Sequence, residues 1–127
     1  MIHVVEDEPN ICKLVSVNLQ KRGHEVLVAQ TGQRALEHLQ EHEPELMILN
    51  IKLPDISGLE ILDRMDDLLP PSKIPPVVLI TASSIDENFV LPRYPRVVRV
   101  FTKPFDINEL IAFVHTLLNR QDQADTN

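Results

Sequence analysis

A short apolar run that ends at a polar residue places the tightest constraint on how this chain can fold. The run is Leu46-Met47-Ile48-Leu49, Asn50 follows it directly, and a loop rich in turn residues comes next, Leu53-Pro54-Asp55-Ile56-Ser57-Gly58. An apolar run of this length closed by turn residues is typical of a buried strand in a parallel sheet. In open α/β sheets, ligands lie just beyond the carboxyl ends of such strands. Asn50 therefore stands where a functional side chain is expected.

Four further apolar runs have the length of strands. They cover residues 2–5, 25–29, 77–80 and 97–101. The segments between the runs carry apolar residues at helical spacing, with a stop at Gly23 and a capping box that begins at Ser57. Asp106 and Glu109 can form a second capping box at the start of the last helix. Strands that alternate with helices predict the α/β class, with one five-stranded parallel sheet covered on both faces.

The segment before the fifth strand departs from this regular pattern. Pro92 and Pro95 lie there, and each lacks a backbone N–H and restricts the residue before it. We therefore expect the fourth helix to be short or disrupted.

We assign residues 1–120 to one domain and residues 121–127 to a polar tail that frays or begins a linker.

Composition narrows the classes of protein to which the chain can belong. The chain has 127 residues and a net charge of −7, which disfavours direct binding to nucleic acid or to an anionic membrane through the overall field. No apolar run approaches the roughly 18 residues of a membrane span. Cys12 is the only cysteine, and we expect it to be a buried structural thiol. A cytoplasmic location is expected.

Polar residues follow four of the predicted strands. They are Glu6 and Asp7, Asn50, Thr81 and Lys103. In a flavodoxin-like doubly wound sheet these strand ends converge at one crevice. Adjacent carboxylates suit Mg²⁺, while a threonine hydroxyl and a lysine ammonium can both contact a phosphoryl group. Each residue alone is a common turn or surface residue, but the set in this order predicts a metal-assisted phosphoryl site.

With these motifs, the chain resembles the receiver domains of two-component response regulators, the CheY-like family. The matching segments are 4–8, 46–58 with its Leu-Pro-Asp-x-x-Gly loop, 80–82 and 101–105, and the resemblance extends from residue 2 to about 119. It implies the flavodoxin-like (βα)5 fold and a bacterial phosphorelay signalling module, not an enzyme. It also implies a cis peptide bond before Pro104.

The resemblance further implies roles for the residues at the strand ends. The side chains of Glu6 and Asp7 and the backbone carbonyl of Lys52 fall on the Mg²⁺ ligands of the family. Thr81 falls on the threonine whose hydroxyl follows the phosphoryl group during switching. Lys103 falls on the lysine that the family carries at the phosphoryl site.

Asn50 occupies the position at which the family carries its phosphoacceptor aspartate. A neutral amide oxygen is a much poorer nucleophile than a carboxylate, so we expect no acyl phosphate at this residue. The lost charge also weakens any Mg²⁺ site, while it relieves repulsion among the acidic residues. Asp55 matches a position of the family that is not the acceptor, and we do not expect it to substitute.

A second departure from the family concerns the aromatic residue whose rotamer is coupled to the shift of the threonine. The family places an aromatic residue three positions before the lysine, where this chain has Val100. Tyr94 is the only tyrosine, and we expect it to be a loop aromatic that packs on the surface rather than a substitute for the missing residue.

Three functions are compatible with these observations. The first is an atypical receiver that is not phosphorylated at Asn50 and acts as a protein-interaction module for a histidine kinase, a phosphotransfer protein or an output domain. The second is an ordinary receiver inactivated by an engineered Asp-to-Asn change. The third is a flavodoxin-like nucleotide-binding domain or enzyme, which needs a glycine-containing phosphate loop that Glu6-Asp7-Glu8-Pro9 does not provide. The resemblance also allows a homodimer through the face of the fourth helix, fifth strand and fifth helix.

Overall fold

The computed structural model describes the backbone of residues 1–82 and 87–126, and the side chains of these residues except 87–89 and 120–126. The strands are β1 (Ile2–Val5), β2 (Val26–Ala29), β3 (Leu46–Asn50), β4 (Val77–Thr81) and β5 (Val97–Thr102). The helices are α1 (Pro9–Lys21), α2 (Gly32–Glu41), α3 (Gly58–Leu68), α4 (Glu87–Arg93) and α5 (Ile107–Thr126), and a 3₁₀ turn covers Pro71–Lys73. Within the described ranges, no helix is both long and apolar enough to cross a membrane.

The five strands form one parallel sheet in the order β2-β1-β3-β4-β5. This order confirms the predicted flavodoxin-like doubly wound fold, in which the chain reverses direction across the sheet between β1 and β3. The register pairs Val5 with Leu49 and Asn50 with Ile80, so the ends of the three central strands lie at one level. The residues that follow these strands therefore meet at one edge.

Two apolar layers hold the helices against the sheet. Alternate residues of β1 and β3 point to opposite faces of the sheet, as strand periodicity requires. Val5, Met47 and Leu49 belong to the layer beneath α2, α3 and α4, while Val4 and Ile48 belong to the layer beneath α1 and α5. All five residues of β3 are buried, which explains the continuous apolar run from Leu46 to Leu49.

The predicted helix starts are present, but the capping boxes are incomplete. Ser57 Oγ accepts the N–H of Glu60 at 3.2 Å, and Asp106 Oδ1 accepts the N–H of Asn108 at 2.8 Å. The glutamate side chains do not return to the caps, because Glu60 pairs with Arg64 and Glu109 of α5 pairs with an arginine of β5. At the end of α1, Gly23 has φ +88°, the left-handed conformation that glycine adopts without strain.

The fourth helix is short, as predicted, but Pro92 does not stop it. Helix α4 passes through Pro92 and ends at Arg93, while residues 83–86, where part of the irregular segment was expected, lie outside the described residues. The last turn is held by the Tyr94 N–H, which donates to the carbonyl of Val90 at 2.9 Å. A proline near the end of a short helix disrupts little, because few helical hydrogen bonds remain to be lost.

One other expectation about local structure was wrong. Tyr94 is not on the surface: it is only 9% exposed and belongs to the apolar layer that contains Leu62 and Met65 of α3. The backbone of α5 is helical from Ile107 to Thr126, and the assignment of residues 121–127 to a tail remains a prediction. Cys12 is buried as predicted, and burial raises the pKa of its thiol.

A pair of buried histidines joins β1 to α2. His3 Nε2 lies 3.2 Å from His38 Nδ1, and the ring of His42 packs edge-on against His38. Among the described residues, His3 Nδ1 has no hydrogen-bond partner. Burial, and then the neighbouring His38 and His42, lower the pKa of His3 to about 3. The folded protein thus holds His3 neutral, whereas an unfolded histidine ionises near pH 6.5.

The side chain of Asp55 fastens the β3–α3 loop to the start of α2. Its two oxygens accept the backbone N–H groups of Gly32 and Gln33, each at 2.8 Å. Partial burial alone raises the pKa of Asp55, but the hydrogen bonds from Gln33 and Gly32 outweigh it and hold the pKa below its usual range. Both oxygens are therefore committed to a helix N-terminus, where a negative charge is favourable.

The buried histidine pair predicts that stability falls in mild acid. Because the pKa of His3 is lower in the folded state, the full stability is present above pH 6.5 and is lost as the pH falls from 6.5 towards 3. The loss approaches about 1.4 kcal/mol per pH unit for this histidine. Urea unfolding between pH 7.5 and 5 should give a steeper pH dependence for the wild type than for His3→Leu. Substitution of the exposed His115 by Gln should leave the slope unchanged, and equal slopes for wild type and His3→Leu would contradict the prediction.

Removal of the Asp55 carboxylate should destabilise the fold. Asp55→Ala leaves the two N-terminal N–H groups of α2 without their acceptor, at a cost of about 1–2 kcal/mol, the range seen for helix caps. Asp67→Ala is the matched control, because Asp67 is exposed on α3. Urea unfolding at neutral pH measures both variants, and equal free energies of unfolding for the two would disprove the capping role.

Candidate functional site

The side chain of Asn50 lies at the centre of the carboxyl edge. It is 3% exposed, and its Nδ2 lies 2.8 Å from Glu6 Oε2, 3.1 Å from Asp7 Oδ1 and 2.8 Å from the backbone carbonyl of Lys52. The first two acceptors follow β1 and the third follows β3. The amide therefore ties together the ends of two adjacent strands.

Lys103 reaches the same acidic cluster from the end of β5. Its Nζ lies 2.8 Å from Glu6 Oε1 and 3.4 Å from Glu8 Oε1. Glu6 is 2% exposed, and burial raises its pKa above the usual range, although Lys103 and the backbone N–H of Glu8 offset part of this effect. A carboxylate in such a place needs a positive partner, because an unpaired buried charge is very costly. Lys103 supplies that partner.

Thr81 stands at the carboxyl end of β4, the strand next to β3. It is the last residue of β4 and is buried, and its backbone carbonyl accepts the N–H of Lys103 at 2.7 Å. This bond aligns the end of β5, and the peptide bond between Lys103 and Pro104 is cis, as the resemblance implied.

A shallow cavity of about 290 Å³ opens above these residues. It is lined by Asp7, Glu8, Asn50, Lys52, Leu53, Pro54, Ala82 and Lys103. Of the six residues singled out in the sequence, four therefore line the cavity, while Glu6 and Thr81 are buried. The structure brings the predicted set together at one edge.

Gly58 lets the loop after β3 fold back against the site. A Cβ atom at this position would lie 2.6 Å from the carbonyl oxygen of Asn50 and 2.9 Å from Ile51 Cα, both of them backbone atoms. The Gly58 N–H donates to the carbonyl of Ile51 at 2.7 Å. The glycine of the Leu-Pro-Asp-x-x-Gly loop is therefore required for close backbone approach, a role that the sequence motif alone did not reveal.

The oxygens that could ligate a cation are engaged by the protein itself. Within the part of the chain that the structure describes, no group of three or more His, Cys, Asp or Glu residues is arranged to hold a metal ion. The two carboxylates and the carbonyl expected to bind Mg²⁺ all face the Asn50 nitrogen. A metal ion does not fit among these three oxygens unless the amide first leaves them.

Comparison with known proteins agrees with this architecture. Residues 2–115 match the family model of the response regulator receiver domain. Over 124 residues, 98% of the chain, the sequence is 32% identical to the transcriptional regulatory protein KdpE of Mycobacterium tuberculosis and 33% identical to the response regulator ArlR of Staphylococcus aureus. The chain spans 53% and 55% of these two proteins, about half of their length. The expected bacterial origin fits the sources of both relatives.

Solved structures of response regulator proteins also have the same fold as this chain. A CheY-like response regulator receiver domain protein from Methanospirillum hungatei superposes with a TM-score of 0.83 at 25% identity, covering 97% of this chain and 96% of that one. The response regulator TrrA of Thermotoga maritima, solved in complex with Mg(2+)-BeF, gives a TM-score of 0.76 at 33% identity, covering 91% and 96% of the two chains. Strand order, the acidic carboxyl edge and these similarities together show that the chain belongs to the response regulator receiver domain family.

Proposed function

We propose that this chain is an atypical receiver of a two-component phosphorelay, which is not phosphorylated at Asn50 and acts through protein–protein contacts in the cytoplasm. The proposal takes Asn50 as the residue at the phosphoacceptor position. One observation carries it: the side chain at the centre of the acidic edge is an amide, and its nitrogen donates to the acidic pair. A module of this kind binds signalling partners without a phosphorylation cycle of its own.

Amide chemistry supports the absence of phosphoryl transfer. An acyl phosphate forms when a carboxylate oxygen attacks phosphorus, and a neutral amide oxygen lacks the charge that drives this attack. Asp55 does not replace the nucleophile, because both of its oxygens accept backbone N–H groups of α2. Loss of the carboxylate also removes an attraction for Mg²⁺, which is about 4 kcal/mol for each pair of unit charges 4 Å apart at an effective dielectric constant near 20. Mg²⁺ binding through Glu6, Asp7 and the Lys52 carbonyl is therefore weakened.

The environment of the switch residues supports the same proposal. The resemblance implies that receivers couple a threonine shift to the rotamer of an aromatic side chain. Here Val100 is buried in β5 and Tyr94 is packed in the core beside α3. Neither of them is an exposed aromatic side chain that could change rotamer beside Thr81. Lys103, in turn, lies 2.8 Å from Glu6 Oε1 and neutralises that carboxylate.

Partners of this module are proteins of the same signalling class. A histidine kinase, a phosphotransfer protein or an output domain is the proposed partner, in keeping with relatives that are about twice as long as this chain. Direct binding to nucleic acid or membrane is not part of the proposal, because the net charge is −7.

Exposure to a phosphodonor tests the proposal. Incubation with acetyl phosphate and Mg²⁺, followed by intact mass measurement, should show no acid-labile phosphoryl group on the wild type. Asn50→Asp is the matched variant, since it restores a carboxylate of nearly the same shape and is expected to gain one group. Stoichiometric phosphorylation of the wild type would refute the proposed function.

The face formed by β5 and α5 is the proposed surface for a homodimer. A groove of about 540 Å³ lies there and includes Val98, which is 39% exposed, and Phe113. Arg99 covers part of the apolar surface, with its guanidinium 4.3 Å from the ring centre of Phe101 and 5.1 Å from that of Phe113. Arg99 also pairs with Glu109. The combination of an apolar groove with paired charges suits a symmetric contact.

Substitution of an exposed apolar residue tests this surface. Val98→Asp should shift the monomer–dimer equilibrium towards monomer, because a buried unpaired carboxylate is costly in an interface. Leu68→Asp is the matched control, since Leu68 is exposed on α3, which covers the other face of the sheet. Multi-angle light scattering across a concentration series measures the mass. A monomeric wild type at every concentration, or a dimer insensitive to Val98→Asp, would contradict the proposed surface.

A further inference from the structure

We propose that the Asn50 amide group takes the place of a cation in the acidic pocket, so that the pocket keeps its shape without Mg²⁺. This inference rests on the proposed function, in which Asn50 stands at the receiver site. It goes further, because it assigns the amide a positive structural role rather than the mere loss of a nucleophile.

The geometry around the nitrogen carries the inference. Three oxygens of different origin converge on Asn50 Nδ2, from Glu6, Asp7 and the carbonyl of Lys52, at 2.8, 3.1 and 2.8 Å. All three are acceptors, so the amide must present its NH₂ group, because the reverse orientation would set an oxygen against three oxygens. An NH₂ group has two protons for three acceptors, and one proton is therefore shared.

The same oxygens are those that a divalent cation would need. Two carboxylates and a backbone carbonyl are hard oxygen ligands, the type that Mg²⁺ prefers. Mg²⁺ demands oxygens at about 2.0–2.1 Å in an octahedron. Here the oxygens stand 2.8–3.1 Å from an atom that already fills the space between them. For the ion to use all three, the amide must leave and the oxygens must close in.

Lys103 completes the internal neutralisation. Its ammonium group lies 2.8 Å from the oxygen of Glu6 that the Asn50 amide does not contact. One oxygen of Glu6 therefore faces the amide and the other faces the lysine. A positive charge and two polarised N–H groups thus supply the electrostatic partner that the acidic pair requires. A cation is not needed to hold β1, β3 and β5 together at this edge.

An aspartate at position 50 would have the opposite effect on the acidic pocket. It would bring a third carboxylate against Glu6 and Asp7 and would have no proton to donate to them. The Asn50→Asp variant should therefore depend on a cation for stability, while the wild type should not. This difference can be measured without any signalling activity.

Thermal unfolding in EDTA and in 10 mM Mg²⁺ tests the inference. The wild-type Tm should change by less than about 1 °C between the two conditions. Asn50→Asp should have a lower Tm than the wild type in EDTA and gain several degrees in Mg²⁺, because an ion that binds only the folded state stabilises it. Asn119→Asp is the control: it adds the same charge at an exposed position of α5 and should respond like the wild type.

A second variant covers the case in which Asn50→Asp does not fold. Asn50→Ser removes the NH₂ group without adding charge, and it too should gain a Tm response to Mg²⁺. A wild-type Tm that rises with Mg²⁺ as much as that of Asn50→Asp would overturn the inference, as would the absence of a response in both variants. A wild type that responds to Mg²⁺ but gains no phosphoryl group from acetyl phosphate would contradict this inference alone and leave the proposed function intact.

Discussion

The contacts of the Asn50 amide with the acidic pair are the interaction on which the carboxyl edge depends. Parallel strands in the order β2-β1-β3-β4-β5 bring the ends of β1 and β3 side by side, and the three groups there that face the Asn50 nitrogen are all oxygens. Two adjacent carboxylates without a donor would repel each other in a place where Glu6 is almost fully buried. The amide of Asn50 and the ammonium of Lys103 resolve this conflict from opposite sides of Glu6. The close approach of Gly58 to the backbone of Asn50 and Ile51 holds the loop after β3 against this edge.

The chain combines the receiver fold with an amide group at the centre of its acidic edge. The chain belongs to the response regulator receiver domain family, and its sheet and acidic edge follow that pattern. The group at the centre of the edge is a hydrogen-bond donor where a nucleophile would be an acceptor only. The proposed interaction module therefore presents one constant surface to its partners.

Several features could be predicted from the sequence because their signals are local. Each strand is a short apolar run closed by polar residues, and Ser57 precedes its helix in a recognisable cap. Other features could not, because they join segments far apart in the chain. Asp55 caps a helix that begins 23 residues earlier, and His3 meets His38 at a separation of 35 residues. Tyr94 lies between prolines in a loop-like sequence, and only the space between α3 and β5 decides that it is buried.

The most direct measurement is an NMR titration of ¹⁵N-labelled protein that follows the side-chain NH₂ signals of Asn50. If the amide fills the place of a cation, these protons are protected from solvent exchange, and their shifts stay unchanged as Mg²⁺ is added to 10 mM. A trace of Mn²⁺ should then broaden them no more than the NH₂ signals of an exposed residue such as Asn119. Fast exchange of the Asn50 NH₂ protons, or shifts and selective broadening at low metal concentration, would show that the pocket is open to a cation and would contradict the account.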